Sequence, residues 1–301
     1  MDTPANGPSA LGSFLRTRRA RLQPEDVGLV SYGSRRRVPG LRREELAQLA
    51  GVSVAYYTRL EQGQSHNASE GVLDALARAL RLTPDERAHL RELARPAQTR
   101  RRPAPRPDKA RPGVRQLLAA VQDVPAVALG PRYEVLAWNR LGHALLAGHL
   151  DFDSPARPLD RPNTQRLLFL DPHTRELYPD RAEETRRAVA ALRVAAGQRP
   201  DDRELTELIG ELSMKSTEFS ALWSRHVVSN CTFGTKRFHH PLVGDLALDF
   251  EVLQTPDGSG QGVIMFTAEQ GSPAEAALGL LAAECRTDET RVRGTARLGR
   301  F

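Results

Sequence analysis

Residues 43–62, REELAQLAGVSVAYYTRLEQ followed by Gly63, place small, apolar and turn-forming residues at the intervals that two crossing helices require. Counting from Arg43, the fourth residue is apolar (Leu46), the fifth small (Ala47), the ninth Gly51, the tenth Val52 and the eighteenth Leu60. Leu46, Leu49 and Ala50 share one helical face. Ala47 lets a second helix cross closely, Gly51 permits a positive φ at the turn, and Ser53 is a natural N-cap. Val52 and Leu60 then bury against the first helix. The remaining face of 53–62 is left free to enter a major groove. An ordinary αα-hairpin does not demand a small residue, a glycine and a cap in this register.

The charge agrees with that reading. Residues 1–112 hold 21 Lys+Arg against 12 Asp+Glu, and the remainder holds 22 against 25. The whole basic excess therefore accompanies the helical motif, as in a polyanion binder. At 301 residues two domains are expected. No apolar run is long enough for a transmembrane helix, and the first residues, MDTPANGPSA, lack a signal pattern. The expectation is a cytoplasmic protein, nucleoid-associated when bound to DNA, with no membrane partner. Cys231 and Cys285 belong to no CxxC or Cys/His cluster, so two reduced thiols are expected, with no metal and no cofactor.

Along the chain, residues 9–22 read as a helix with Leu11, Phe14, Leu15 and Leu22 inward. A Pro-, Gly- and Ser-rich loop follows at 23–40 and carries Arg35, Arg36 and Arg37. Residues 71–82 form a helix with Leu73, Leu76, Ala77 and Leu80 inward. Thr83-Pro84-Asp85-Glu86 opens the next helix as a capping box with Pro at its first position. These make a five-helix, all-α unit spanning 9–94. Residues 95–112 hold five prolines and seven Lys/Arg and read as an extended linker.

From 113 to 284 the pattern is mixed α and β. Helices are expected at 113–123, 139–147, 181–196, 201–214, 216–224 and 273–284. Short strands are expected at 126–130 and 134–138, with a Pro- and Asp-rich loop at 151–163. Three further strands are expected near 226–237, 246–253 and 262–269. In the second of these Leu246, Leu248, Phe250 and Val252 face one way. The third is apolar throughout and reads as central. A basic tail, 285–301, closes the chain. Two strands, a helical middle and three antiparallel strands follow the order of a PAS-like α+β sensor domain, whose curved sheet leaves room for a small molecule.

The segments LRREELAQLAGVSVAYYTRLEQG and VLDALARALRLTPDERAHL closely resemble XRE-family helix-turn-helix transcriptional regulators, with a lambda-repressor-like five-helix domain. YEVLAWN (133–139), FSALWSRHVV (219–228), FHHPLVGDLALDFEVL (238–253) and MFTAE (265–269) resemble the MmyB-like ligand-binding domain that follows such units. The resemblance implies a sequence-specific DNA-binding regulator with a small-molecule effector and a homodimeric state. Tyr57 stands where the helix-turn-helix pattern usually has a branched aliphatic, so it is either core or a DNA contact.

The resemblance carries base contacts onto Val54, Ala55 and Arg59, and an ion pair that locks helix orientation onto Arg19 and Glu61. Arg59 can donate bidentately to guanine, unless it pairs with Glu45 or Glu61. Ser53, Tyr56 and Arg43 are placed for phosphate, and Arg35–Arg37 for a groove or backbone edge. Apolar residues at strand and helix positions supply pocket candidates: Trp138, Phe169, Phe219, Trp223, Phe233, Phe250 and Met265. Asn139 and Arg225 are candidates to orient a polar head group. The bland reading of each aromatic is core packing. The list suits an apolar or amphipathic effector, such as a fatty-acyl metabolite, better than a sugar.

An enzyme is not expected. His226, His239 and His240 lie near Cys231, but no nucleophile elbow, phosphate loop or acid pair accompanies them. His239 and His240 on a strand point to opposite faces. The His-x-His with further ligands of a cupin-like site is missing. The rival class is a protein–protein adaptor that touches DNA only secondarily.

Overall fold

A computed structural model describes residues 10–29, 40–64, 68–94, 109–225 and 232–298, with side chains to 287 in the last stretch. The expected arginine run 35–37 and most of the linker lie outside the described residues. Two compact units emerge. The first takes the described parts of Met1–Arg102, Ala190–Asp202 and Leu222–Asn230, and the second holds the rest.

In the first unit the expected helices form: α1 (Ala10–Arg21), α2 (Arg43–Ala50), α3 (Val54–Glu61), α4 (Glu70–Ala79) and α5 (Pro84–Ala94). Leu11, Phe14 and Leu15 of α1 meet Leu46, Ala47, Tyr57, Leu60, Leu73, Leu76 and Leu90 in one core. Gly51 ends α2 in the left-handed region at φ 65°. The Val52 N–H then returns to the Ala47 carbonyl at 3.0 Å. Leu49, at the edge of the apolar stripe, remains 36% exposed. The Thr83 hydroxyl accepts the Glu86 N–H, and the Glu86 carboxylate accepts the Thr83 N–H, completing the capping box.

The second unit contains α6 (Pro112–Ala120), β1 (Ala126–Leu129), β2 (Val135–Trp138), α7 (Arg140–Ala147), α8 (Thr164–Leu170) and α9 (Pro172–Leu177). Next come α10 (Arg181–Gln198), assigned to the first unit from Ala190 onward, α11 (Arg203–Lys215) and α12 (Thr217–Ser224), assigned to the first unit from Leu222 onward, then β3 (Phe233–His240), β4 (Gly244–Gln254), β5 (Gly262–Thr267) and α13 (Pro273–Leu298). The antiparallel sheet runs β2-β1-β5-β4-β3, so β5 is central, as its unbroken apolar run predicts. Leu246, Leu248 and Phe250 of β4 are buried on one face, while Asp249 and Glu251 face out. Leu141, Leu145, Leu177, Leu278 and Leu281, from α7, α9 and α13, cover that face. A second cluster seats Val114 and Leu118 of α6 on Ala126, Ala128, Leu136 and Val263.

The main departures from the sequence reading fall at β3, at α8 and α9, and at the last helix. Among the described residues β3 spans 233–240 and passes its expected end at 237, because pairing with β4 continues in unbroken register to His240 opposite Gly244; positions 226–231 of the expected strand lie outside the described residues. The helices α8 and α9 are too short to show a period; their caps, Asn163 and Asp171, and Pro172 at the first position of α9 are the local signals. The final helix does not stop at 284 but continues to Leu298, since no proline or glycine cap interrupts 285–293.

Asn139 holds the corner between β2 and α7. Its Oδ1 accepts the N–H groups of Ala126 (3.0 Å) and Gly142 (2.7 Å), and its Nδ2 donates to the carbonyls of Val121 and Val124. The helix start then lies so near β1 that a Cβ on Gly142 would stand 2.5 Å from the Ala126 carbonyl oxygen. Removing the amide strands four backbone groups at a buried corner. Asn139→Ala is expected to destabilise the second unit by about 3 kcal/mol, measured by chemical denaturation of the full chain.

Candidate nucleic-acid interface and effector cavity

The second helix of the motif presents two faces of opposite character. Ser53 caps α3 by accepting the Tyr56 N–H at 3.2 Å. Ser53, Val54, Ala55 and Arg59 are exposed and Tyr56 is half-buried, whereas Tyr57, Leu60 and Glu61 are fully buried. Tyr57 is thus a packing residue and leaves the set of DNA contacts. Its ring fills the space between α1, α2 and α3, and burial together with the Glu61 charge pushes its phenol up, so it stays neutral.

Glu61 carries the expected ion pair and more. Arg19 donates to both carboxylate oxygens, Nε to Oε2 and Nη2 to Oε1, each at 3.0 Å. Arg43 adds Nε and Nη2 to Oε1 at 3.1 and 2.8 Å. Arg19 also donates to the Leu41 carbonyl at 2.6 Å, tying the start of the motif to α1. Burial alone would raise the Glu61 pKa, but the hydrogen bonds from Arg19 and Arg43 outweigh it and hold the carboxyl below its ordinary value. The structure therefore gives Arg43 a bracing role that sequence reasoning missed, while 43% of its side chain stays exposed. Arg16 lies 3.6 Å from the same carboxylate with 49% of its side chain exposed. One buried anion thus anchors three cations, leaving net positive charge at the start of the motif.

Arg59 pairs with neither alternative partner. Glu61 is committed to Arg19 and Arg43, and Glu45 accepts the Arg42 N–H at 2.7 Å. Among the described residues the Arg59 guanidinium forms no ion pair. It stands on the exposed face with Val54 and Ala55, where bidentate donation to a base edge is open.

The second unit holds a cavity of about 580 Å³ bounded by α7, α9, the turn after β3 and α13. Ala144, Leu145, Leu146, Leu177 and Leu281 give it an apolar wall. Arg140 stands at its edge with the guanidinium 4.8 Å from the Phe152 ring centroid. Five imidazoles also line it, those of His143, His149, His173, His239 and His240. His240 is buried and structural, with Nε2 against the Ala144 carbonyl and Nδ1 accepting the Leu242 N–H. Burial lowers the His143 pKa, keeping that ring neutral. His239, on the opposite face of β3 as its strand position predicts, bonds Asp245 at 2.5 Å. A smaller cavity of about 400 Å³ lies beside α6, Trp138 and Arg140.

Of the expected pocket residues, Trp138 and Asn139 line the smaller cavity. Asn139 has no donor or acceptor to spare for a ligand, because the helix corner uses both N–H groups and accepts twice on the oxygen. Phe169 and Phe219 pack edge to face at 5.1 Å in the core. Phe250 is core beneath Lys236, Met265 is half-buried against the α6 cluster, and Phe233 is exposed on the edge strand. Trp223 and Arg225 group with the first unit, where Arg193 lies 4.0 Å from the Trp223 ring centroid and the Arg225 carbonyl accepts from Arg21. None of these seven lines the larger cavity. The residues that do line it are largely aliphatic or imidazole, joined by Arg140, Phe152, Thr174, Glu176, Glu284 and Cys285, a set without a sequence motif.

Residues 110–281 match the model of the MmyB-like transcription regulator ligand-binding domain, and residues 10–90 match that of a helix-turn-helix domain. No curated protein matches the chain.

Arg19→Ala is expected to destabilise the first unit by about 3 kcal/mol, because Glu61 then stays buried with too few donors; an unchanged thermal melt is the contrary result. The lowered Glu61 pKa also sets a pH dependence. Its stabilisation is complete above the carboxyl's unfolded value, about 4.3, and is lost as pH falls through the lower folded value. Glu61→Gln should therefore flatten the acid limb of a stability–pH curve.

Proposed function

The chain belongs to the MmyB-like transcription regulators, in which a helix-turn-helix precedes a ligand-binding domain, and from that premise we propose how this ligand-responsive regulator works. It acts as a homodimer that reads a palindromic operator, each protomer laying α3 in a major groove. Arg59 reads a guanine, Val54 and Ala55 make apolar contacts with bases, and Ser53, Tyr56, Arg43 and Arg16 hold phosphate. The observation that carries this reading is the exposed Arg59, without an ion pair among the described residues, on a helix whose other face is fully buried.

The effector is a small apolar or amphipathic molecule, with a fatty-acyl chain as the leading class. The aliphatic wall of the 580 Å³ cavity supports an apolar body, and Arg140 at its edge supports an anionic head group. Effector binding shifts the population of dimers competent for DNA. No catalytic residue takes part.

Operators selected from random DNA by the wild-type protein provide the test. Arg59→Ala should weaken operator binding by about 1–3 kcal/mol and relax the choice at one base pair, while leaving non-specific binding nearly intact. Wild-type affinity should fall steeply with salt. Equal, feeble retention of every oligonucleotide, or salt-insensitive capture of another protein without DNA, favours the adaptor reading instead. Native mass spectrometry of the purified protein should show a dimer that retains a small molecule.

A further inference from the structure

The rim of the larger cavity carries a side-chain cluster that the regulatory reading does not use. His149 follows α7, Asp171 sits at the corner between α8 and α9, and His173 lies in the first turn of α9. One ligand atom from each residue lies within 4.8 Å of the other two. The His149 Nε2 is 3.3 Å from Asp171 Oδ2. Two ligands on a tetrahedral ion, each about 2.0–2.1 Å from it, are themselves about 3.3 Å apart. The two imidazoles lie nearly parallel, with centroids 4.5 Å apart and planes 12° from each other. An imidazole binds a metal in its own ring plane, so His173 turns out of this stack to close the third side.

The carboxylate is held in place for this role. Asp171 Oδ1 caps α9 by accepting the Thr174 N–H at 2.7 Å, and Oδ2 is turned toward the imidazoles. An outer hydrogen bond of this kind orients a metal-ligating carboxylate. The side chains of His149 and Asp171 are 22% and 21% exposed, so the site is partly desolvated yet open to an arriving ion. We propose that His149, Asp171 and His173 bind one divalent transition-metal ion of the zinc, nickel or cobalt class, with solvent completing its coordination. Two imidazoles with one carboxylate suit that class, whereas calcium and magnesium take oxygen ligands. The bound ion staples the end of α7 to the start of α9. Both histidines line the cavity, so the ion fixes the geometry of its rim.

The site is independent of the DNA reading and is tested without DNA. Untagged full-length protein, stripped with a chelator, is titrated with Zn²⁺ by calorimetry and with Co²⁺ by visible absorption. One equivalent per chain and a raised Tm are expected. His173→Ala and Asp171→Asn should each weaken binding at least about tenfold. His173 is exposed and Asn retains the helix cap, so neither change threatens the fold. The proposal is overturned if the wild type takes up no stoichiometric ion, or if either variant binds as tightly as the wild type. Loss in His173→Ala alone also overturns it, since the carboxylate then plays no part.

Discussion

A carboxylate buried with no exposure at the end of the second motif helix organises the DNA-facing unit. Taking Glu61 out of water costs several kcal/mol, and only charged donors in good geometry offset that. Arg19 supplies a bidentate pair from α1, and Arg43 a second from the start of α2. Because the donors come from two other helices, the ion cluster fixes three helix directions together. Apolar contacts among Phe14, Leu46, Tyr57 and Leu60 are strong but tolerate small rotations. The hydrogen-bond geometry does not, and it sets the angle at which α3 offers Arg59.

The same cluster separates buried charges from outward ones. Arg19 is buried and spent on Glu61 and the Leu41 carbonyl. Arg43 and Arg16 are shared between the buried anion and solvent, and Arg59 is wholly outward. A single helical turn thus contains a cation available to bases and an anion unavailable to them. The difference follows from the 3.6-residue period, which places residues 57, 60 and 61 on the face opposite 55 and 59.

In the second unit, backbone satisfaction rather than charge sets the geometry. Asn139 ties β1, the segment after α6 and the first turn of α7 into one corner, and Gly142 lets that helix sit close to the strand. The cavity lies along the far side of α7, between it, α9 and α13. Its walls come from helices separated by more than a hundred residues. That separation explains why the strand aromatics Phe233 and Phe250 do not line this cavity: on a sheet covered by helices, large inward residues such as Phe250 and Phe266 are consumed by packing.

The motif helices, the capping box at Thr83, the alternation in β4 and the central place of β5 were legible in the residues, because each depends on contacts a few positions apart. The Arg19–Glu61 pair was legible only through family resemblance. The bracing of Glu61 by Arg43, the burial of Tyr57, the saturation of Asn139, the short helices α8 and α9, and the convergence of His149, Asp171 and His173 were decided by tertiary structure. Sequence alone determines periodicity and caps, which are local. Which side chain is spent on a neighbour, and which remains free for a ligand, depends on partners that only the folded chain brings together.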